Sequence, residues 1–259
     1  MKNYLRIFVT TTTLFMGASS AWAQNTPNPI PTLSDEWRFS VTPYVWTPSL
    51  NSTLYLNNSP IGRADLSASS ILSDLNIAAM LSGEAHKGKW GIMGDLIYVE
   101  ITNQGAKVIG QTDVGSTATV KNTIFTAAVT YTFAHTQDLY ADALVGARLL
   151  STSANLNVRA QGYPNETLSN TTTTTDPIIG FKGRFRLGDG TWYVPFYADF
   201  GGGGGSTNIT WQALIGVGKA FDWGDVTLGY RALYYDMKSG ATLQKTTMAG
   251  PALGLTINF

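Results

Sequence analysis

Residues 251–259 read Pro-Ala-Leu-Gly-Leu-Thr-Ile-Asn-Phe. Pro251, Leu253, Leu255, Ile257 and Phe259 share one parity and are apolar, whereas Ala252, Gly254, Thr256 and Asn258 are small or polar. Side chains of a β-strand point alternately to its two faces, so a period of two makes one greasy face and one wet face. The same alternation recurs along most of the chain.

Composition decides what such strands build. Charged residues are 13% of the chain, against about 25% in ordinary soluble domains. There is no Cys, hence no disulfide framework, thiolate metal site or thiol nucleophile. His86 and His135 are the two histidines, too few for a His-rich metal site. No apolar run after the N-terminus reaches the length of a membrane helix. Low charge without a membrane helix is the profile of a transmembrane β-barrel, and no break in composition divides the chain.

The N-terminus has the pattern of a secretory signal. Lys2 and Arg6 give the positive flank, Ile7 to Ala18 is mostly apolar, and Ala21-Trp22-Ala23 is a small-x-small cleavage site. Residues 1–23 are thus expected to be removed and 24–35, rich in Pro and Asn, to lead into a barrel over 36–259. Removing Lys2 and Arg6 from the 17 basic residues leaves 15 against 17 acidic ones. That is no nucleic-acid footprint.

Alternation gives ten strands: Trp37–Thr47, Asn76–His86, Trp90–Ile101, Thr119–Phe133, Leu139–Ser153, Pro177–Arg186, Trp192–Phe200, Ile209–Phe221, Val226–Asp236 and the C-terminal one. Pro43 removes a ladder hydrogen bond, so an irregularity is expected there. Pro48–Leu75 is a long connection. It holds two short apolar stretches, Leu50–Leu56 and Ile61–Leu66, which as full strands would make twelve. Ser69–Leu75 has helical spacing, with Ser69 or Ser70 as N-cap. Asn103–Ala118 and Asn155–Thr175 read as long polar loops. Gly201–Ser206 is a flexible loop without the strand-then-helix context of a phosphate cradle. Long and short connections alternate and the strand count is even. This is the plan of an antiparallel up-and-down barrel with short periplasmic turns and long outer loops. Trp37, Trp90, Trp192, Phe221 and Phe259 fall at periplasmic ends, and Tyr98, Phe200, Trp211 and Tyr234 near outer ends. Aromatic residues belong in those two interfacial girdles.

A terminal Phe after alternating apolar residues resembles the assembly signal of bacterial outer-membrane barrels, carried here by Leu253, Leu255, Ile257 and Phe259. The stretch from Trp37 to Tyr98 resembles a family of largely uncharacterised proteobacterial outer-membrane β-barrel proteins. The carrying motifs are Thr42-Pro43-Tyr44-Val45-Trp46, the run from Leu66 to Leu75, Glu84-Ala85, and Lys89-Trp90-Gly91 through Gly94-Asp95-Leu96-Ile97-Tyr98. The resemblance implies a small barrel in the bacterial outer membrane; it brings no established activity and so speaks to location and fold, not chemistry. It also implies as partners the outer-membrane lipids and lipopolysaccharide and the barrel-assembly machinery.

Strand parity turns ten charges inward: Arg38, Glu84, Asp95, Asp142, Arg148, Lys182, Arg184, Arg186, Asp199 and Arg231. Charges facing a lumen escape the penalty they meet in lipid. An Arg38–Glu84 contact is expected, with Asp95 as competing acceptor, and Arg184 and Arg186 are placed to balance Asp142. The ten charges form either a salt-bridge plug or a constriction selecting small anionic solutes. Ten strands enclose little more space than the eight that side chains fill, so a wide pore is excluded. The role expected is passive: a narrow channel or an envelope-structural protein, with surface binding by the long loops as the alternative. No catalytic, metal or cofactor site is implied. A lipid-modifying enzyme is the least favoured class: small-barrel proteases and acyl hydrolases use a His with Ser or Asp near the outer leaflet, whereas His86 and His135 fall at periplasmic turns. Mass spectrometry of protein extracted from outer-membrane fractions is expected to find Gln24 at the N-terminus; an intact Met1 would refute the signal reading.

Overall fold

The structure is a computed structural model that describes residues 27–56, 59–109, 112–160, 166–238 and 243–259. The leader assigned to residues 1–23 lies outside them. The strands are β1 Arg38–Trp46, β2 Ser49–Leu56, β3 Ser59–Leu66, β4 Leu75–Lys87, β5 Trp90–Ile109 and β6 Thr112–His135. They continue as β7 Leu139–Ala160, β8 Glu166–Arg186, β9 Trp192–Gly201, β10 Thr207–Phe221, β11 Gly224–Met237 and β12 Leu243–Asn258. β1 pairs with β4, each of β4 to β12 pairs with the next, and β12 pairs back with β1. Ten antiparallel strands therefore close into a barrel, and β2 and β3 stand outside the ring.

β1 and β2 are one strand broken at Thr47-Pro48. Partners along β12 run from Ser40 opposite Asn258 to Trp46 opposite Ala252, and resume at Ser49 opposite Ala249. Pro48 lacks the N–H that would continue the ladder. On the other side, β1 and β4 are paired only up to Pro43 opposite Leu81. The irregularity expected at Pro43 is this parting of the strands, which Trp46 N spans by donating to Met80 Sδ at 3.1 Å. The two short stretches of the long connection form the hairpin β2–β3, paired through β2 to the outer end of β12. The helical turn α1, Ala68–Ser73, starts one residue earlier and ends two residues earlier than the Ser69–Leu75 stretch read from its spacing. Ser67 is its N-cap, rather than Ser69 or Ser70, and accepts from Ser70 N at 3.1 Å.

The described residues of the two long polar loops are corrected to strands: Asn103–Ile109 and Thr112–Ala118 belong to β5 and β6, and Asn155–Ala160 and Glu166–Thr175 to β7 and β8. β5 and β6 remain paired out to Ile109 opposite Thr112, and β7 and β8 out to Val158 opposite Glu166. β6 has 24 residues, about 80 Å at ~3.3 Å per residue, against an apolar band of ~25 Å. The surplus stands above the membrane with water on both faces, so no apolar alternation marks it. Thr suits a pleated backbone, and hydroxyl pairs such as Ser151 with Thr173 and Thr171 with Ser153, both 3.0 Å, cross the ladder. At the other end the turns are short, and Gly88, at φ 58°, takes the left-handed conformation that glycine adopts without strain.

Outward positions carry a belt of exposed apolar side chains, including Leu96, Phe125, Val145, Ile179, Ile215, Leu228, Leu253, Leu255 and Ile257. Soluble monomers do not expose a belt of this extent, and it faces lipid. Aromatic pairs mark its rims: Trp90 with Tyr131 and Phe221 with Trp223 below, Trp211 with Tyr234 above. Val145, 61% exposed in this belt, generates a test of parity. Val145→Arg is expected to lower unfolding free energy by about 2–4 kcal/mol in lipid, and Ser82→Arg, which points into a lumen cavity, by less. Equal losses in reversible chemical denaturation would reverse the assignment of faces.

Candidate functional site

The lumen is filled in three tiers. The lowest, at the periplasmic end, is a vestibule of about 730 Å³. Arg38, Glu84, His86, Lys182, Arg184 and Asp225 line it, with Tyr44, Tyr140, Tyr193 and Tyr197. Residues 27–32 fold across its mouth, with Pro29 and Ile30 buried. Arg184 Nη1 donates to the Pro29 carbonyl at 3.0 Å, and the His135 ring lies 3.0 Å from the Pro31 carbonyl. Gly88 N donates to Ser34 O at 2.6 Å, tying the lead-in to the first turn.

Polar contacts in this tier form a chain. Lys182 pairs with Glu84, and His86 Nε2 lies 3.0 Å from the same carboxylate. The Tyr140 hydroxyl is 3.4 Å from His86 Nδ1 and 3.1 Å from the Thr132 hydroxyl, which donates to Asp142 at 2.7 Å. Arg184 pairs with Asp225 at 3.1 Å and lies over the Tyr193 ring.

The middle tier consists of two arginine clusters. Arg231 on β11 reaches Asp95 on β5 at 2.5 Å, the Tyr44 hydroxyl at 2.8 Å and Gln212 Oε1 at 2.8 Å. Tyr44 in turn donates to Asp95 at 2.5 Å. Arg148, with no exposed surface, pairs with Asp199 and donates to Thr126 at 3.2 Å and Thr210 at 3.3 Å. Tyr197 donates to Asp199 from below at 2.5 Å. The third tier is apolar: Trp46, Ile97, Ile124, Leu233, Tyr235, Met237 and Met248 pack together in the outer half of the lumen.

Arg38, Glu84, Asp95, Lys182, Arg184 and Arg231 line the cavity and Asp142, Arg148 and Asp199 are buried, but the pairings differ from those expected. Arg38 does not meet Glu84. On the β1–β4 ladder Arg38 stands opposite His86 and Ser40 opposite Glu84, and Glu84 is taken by Lys182 from β8. Asp95 does not compete for Arg38, because Arg231 holds it. Asp142 is not balanced by Arg184 or Arg186. Arg184 turns to Asp225, Arg186 donates to the Gly190 carbonyl in its own turn at 3.2 Å, and Asp142 receives the Thr132 hydroxyl.

Parity alone did not single out Tyr44, Gln212, Asp225 or the lid at residues 27–32 as functional. The apolar tier left a signal in broken alternation. Leu96-Ile97, Ile124-Phe125 and Leu149-Leu150 put an apolar residue on both faces at one height, as a strand buried on both sides does.

No protein-family model matches the chain, and no curated protein sequence matches it. Among solved structures it is similar to the outer-membrane protease OmpT of Escherichia coli. The identity is 10%, the match covers 88% of this chain and 99% of that one, and the TM-score is 0.55. Matches to Ail, the attachment invasion locus protein of Yersinia pestis, and to the toluene transporter TodX of Pseudomonas putida have TM-scores of 0.34 and 0.31. They are 9% and 8% identical, covering 86% and 90% of this chain and 98% and 92% of theirs. The OmpT likeness shows the fold, that of an outer-membrane barrel, and nothing of the chemistry.

The middle tier makes a stability prediction. Removing one partner of a buried ion pair leaves the other charge uncompensated, at about 3–5 kcal/mol. Arg231→Ala is expected to lose that much in urea titration of the barrel in detergent, and the further change Asp95→Ala to restore part of it. A double variant no more stable than the single one would show that Arg231 and Asp95 are not coupled.

Proposed function

We propose that the protein is a passive, non-catalytic barrel of the bacterial outer membrane, closed across its lumen and serving envelope architecture rather than bulk transport. The observation that carries this reading is the seal above the vestibule. Two arginine clusters with buried carboxylate partners lie across the lumen, and a packed apolar tier lies over them. Water and ions crossing the barrel would have to part both layers. Lipid and lipopolysaccharide around the apolar belt, and the barrel-assembly machinery during insertion, are the partners that such a surface calls for.

A second reading, surface binding, is favoured by one further feature. The sheet β5–β8 stands well above the membrane, and its polar hydroxyl-rich faces are displayed to the exterior. On this reading the barrel is the anchor and the sheet the working part.

Planar-bilayer recording tests the first reading. Refolded protein is expected to give no steady conductance. Joint Arg231→Ala and Gln212→Ala substitution, which empties one middle cluster, is expected to leave the bilayer silent, because the Arg148 cluster and the apolar tier still lie across the lumen. Discrete openings from the unsubstituted protein would overturn the closed-barrel reading and return the narrow channel to first place.

A further inference from the structure

The segment that covers the vestibule and the mouth that receives it are complementary in their hydrogen-bonding groups. Residues 27–32 read Pro-Asn-Pro-Ile-Pro-Thr and form neither helix nor strand. Pro27, Pro29 and Pro31 have no N–H, and the Ile30 N–H donates to Asn28 Oδ1 at 3.0 Å within the segment itself. From Pro29 to Pro31 the backbone therefore presents only acceptors to its surroundings. The barrel meets them with donors. Arg184 Nη1, on β8, donates to the Pro29 carbonyl at 3.0 Å. His135 Nε2, at the end of β6, lies 3.0 Å from the Pro31 carbonyl. A carbonyl only accepts, so that ring nitrogen carries the hydrogen. Carboxylates in the same cavity do not compete for the donors' place: Glu84 is taken up by Lys182 and Asp225 by Arg184.

Apolar burial supplies the rest of the contact. Pro29 is fully buried and Ile30 is 3% exposed, although the segment belongs to no sheet ladder. The cavity that it covers carries Tyr140, Tyr193 and Phe196 on its wall. Proline-rich segments suit aromatic-lined grooves because ring-fixed backbone has little freedom left to lose on binding. Only a Pro-Ile pair is read through its side chains. The polar contacts read main-chain carbonyls, which any extended segment of this type presents, so recognition does not depend on the covalent link to β1.

We propose that the periplasmic mouth is a receptor for an extended, proline-containing polypeptide segment of a partner protein, and that residues 27–32 are its tethered occupant. A tether of this length holds its own ligand at an effective concentration on the order of millimolar. Modest intrinsic affinity then keeps the site shut until a competing segment displaces the lead-in. The site asks nothing of the seal above it, so a barrel found to conduct would leave it standing.

Fluorescence anisotropy tests this with a dye-labelled peptide of residues 27–33, Pro-Asn-Pro-Ile-Pro-Thr-Leu, and the refolded chain in neutral detergent. Ile30→Asp places a charge where the buried isoleucine sits and frees the mouth without touching the barrel. The peptide is expected to bind the Ile30→Asp chain saturably, and the unsubstituted chain at least tenfold more weakly because its own segment is in place. A peptide with alanine for every proline is expected to bind the Ile30→Asp chain at least tenfold more weakly. Arg184→Gln added to Ile30→Asp is expected to weaken binding tenfold. Arg184 also pairs with Asp225, so if unheated gel mobility shows that this variant does not fold, His135→Ala, at an exposed turn, replaces it with a several-fold loss expected. Absence of saturable binding to the Ile30→Asp chain, equal binding by the unsubstituted chain, equal binding of the alanine peptide, or no loss on removing the donor would each overturn the proposal.

Discussion

A peptide group left unpaired in hydrocarbon costs several kcal/mol, because no water is present to take its hydrogen bonds. The ladder between the first and last strands therefore governs everything else. β1 and β12 are paired from Ser40–Asn258 to Trp46–Ala252, and Phe39 and Phe259 exchange both backbone bonds below, at 3.2 and 2.9 Å. Without this join the other strands would form an open sheet with two wet edges in lipid. The alternation of the last nine residues has its physical purpose here. Leu253, Leu255 and Ile257 face lipid, while Gly254 and Thr256 face the lumen beside Thr42. Gly250 is likewise constrained, since a Cβ there would run into the Thr47 carbonyl where β1 gives way to β2.

Closure creates a second requirement, which is to fill what has been enclosed. Ten strands leave room for side chains and little else. The lower half uses charge and aromatic rings and keeps a cavity; the middle uses arginines surrounded by acceptors; the outer half uses ordinary apolar packing. A buried ion pair contributes little net stability, since desolvation offsets attraction, but it penalises every arrangement that separates its partners. Arg231 bound at once to Asp95, Tyr44 and Gln212 joins β11, β5, β1 and β10. It therefore fixes the relative heights of four strands as well as closing the lumen.

Much of this was legible from residues alone, and the failures have causes. Where a strand has lipid on one side and water or polar groups on the other, the period of two is strong, and the ten strands and the inward set of charges were read from it. Where β5 to β8 rise into water, both faces are polar and the period vanishes, so real strands at Asn103–Ile109, Thr112–Ala118, Asn155–Ala160 and Glu166–Thr175 looked like loops. Where the lumen is apolar, as at Ile97 and Ile124, both faces are greasy and alternation is blurred from the other direction. The Pro- and Asn-rich lead-in carried no periodicity to show that it would cover the periplasmic mouth.

The sequence by itself determined that this chain makes antiparallel strands in a membrane, which faces those strands turn to lipid, and which charges they turn inward. Those are local properties, because the direction of a side chain depends on its parity within its own strand. Only the tertiary structure decided which inward charges meet. Arg38 is left without Glu84 by a register two residues away from the one it needed. Arg231 finds Asp95 from 136 positions away in the chain because the closed ring brings β11 and β5 across the lumen from each other. Neighbouring-strand reasoning sees only the partner along the ladder. In a barrel narrow enough for side chains to span, the stronger partner stands across the lumen.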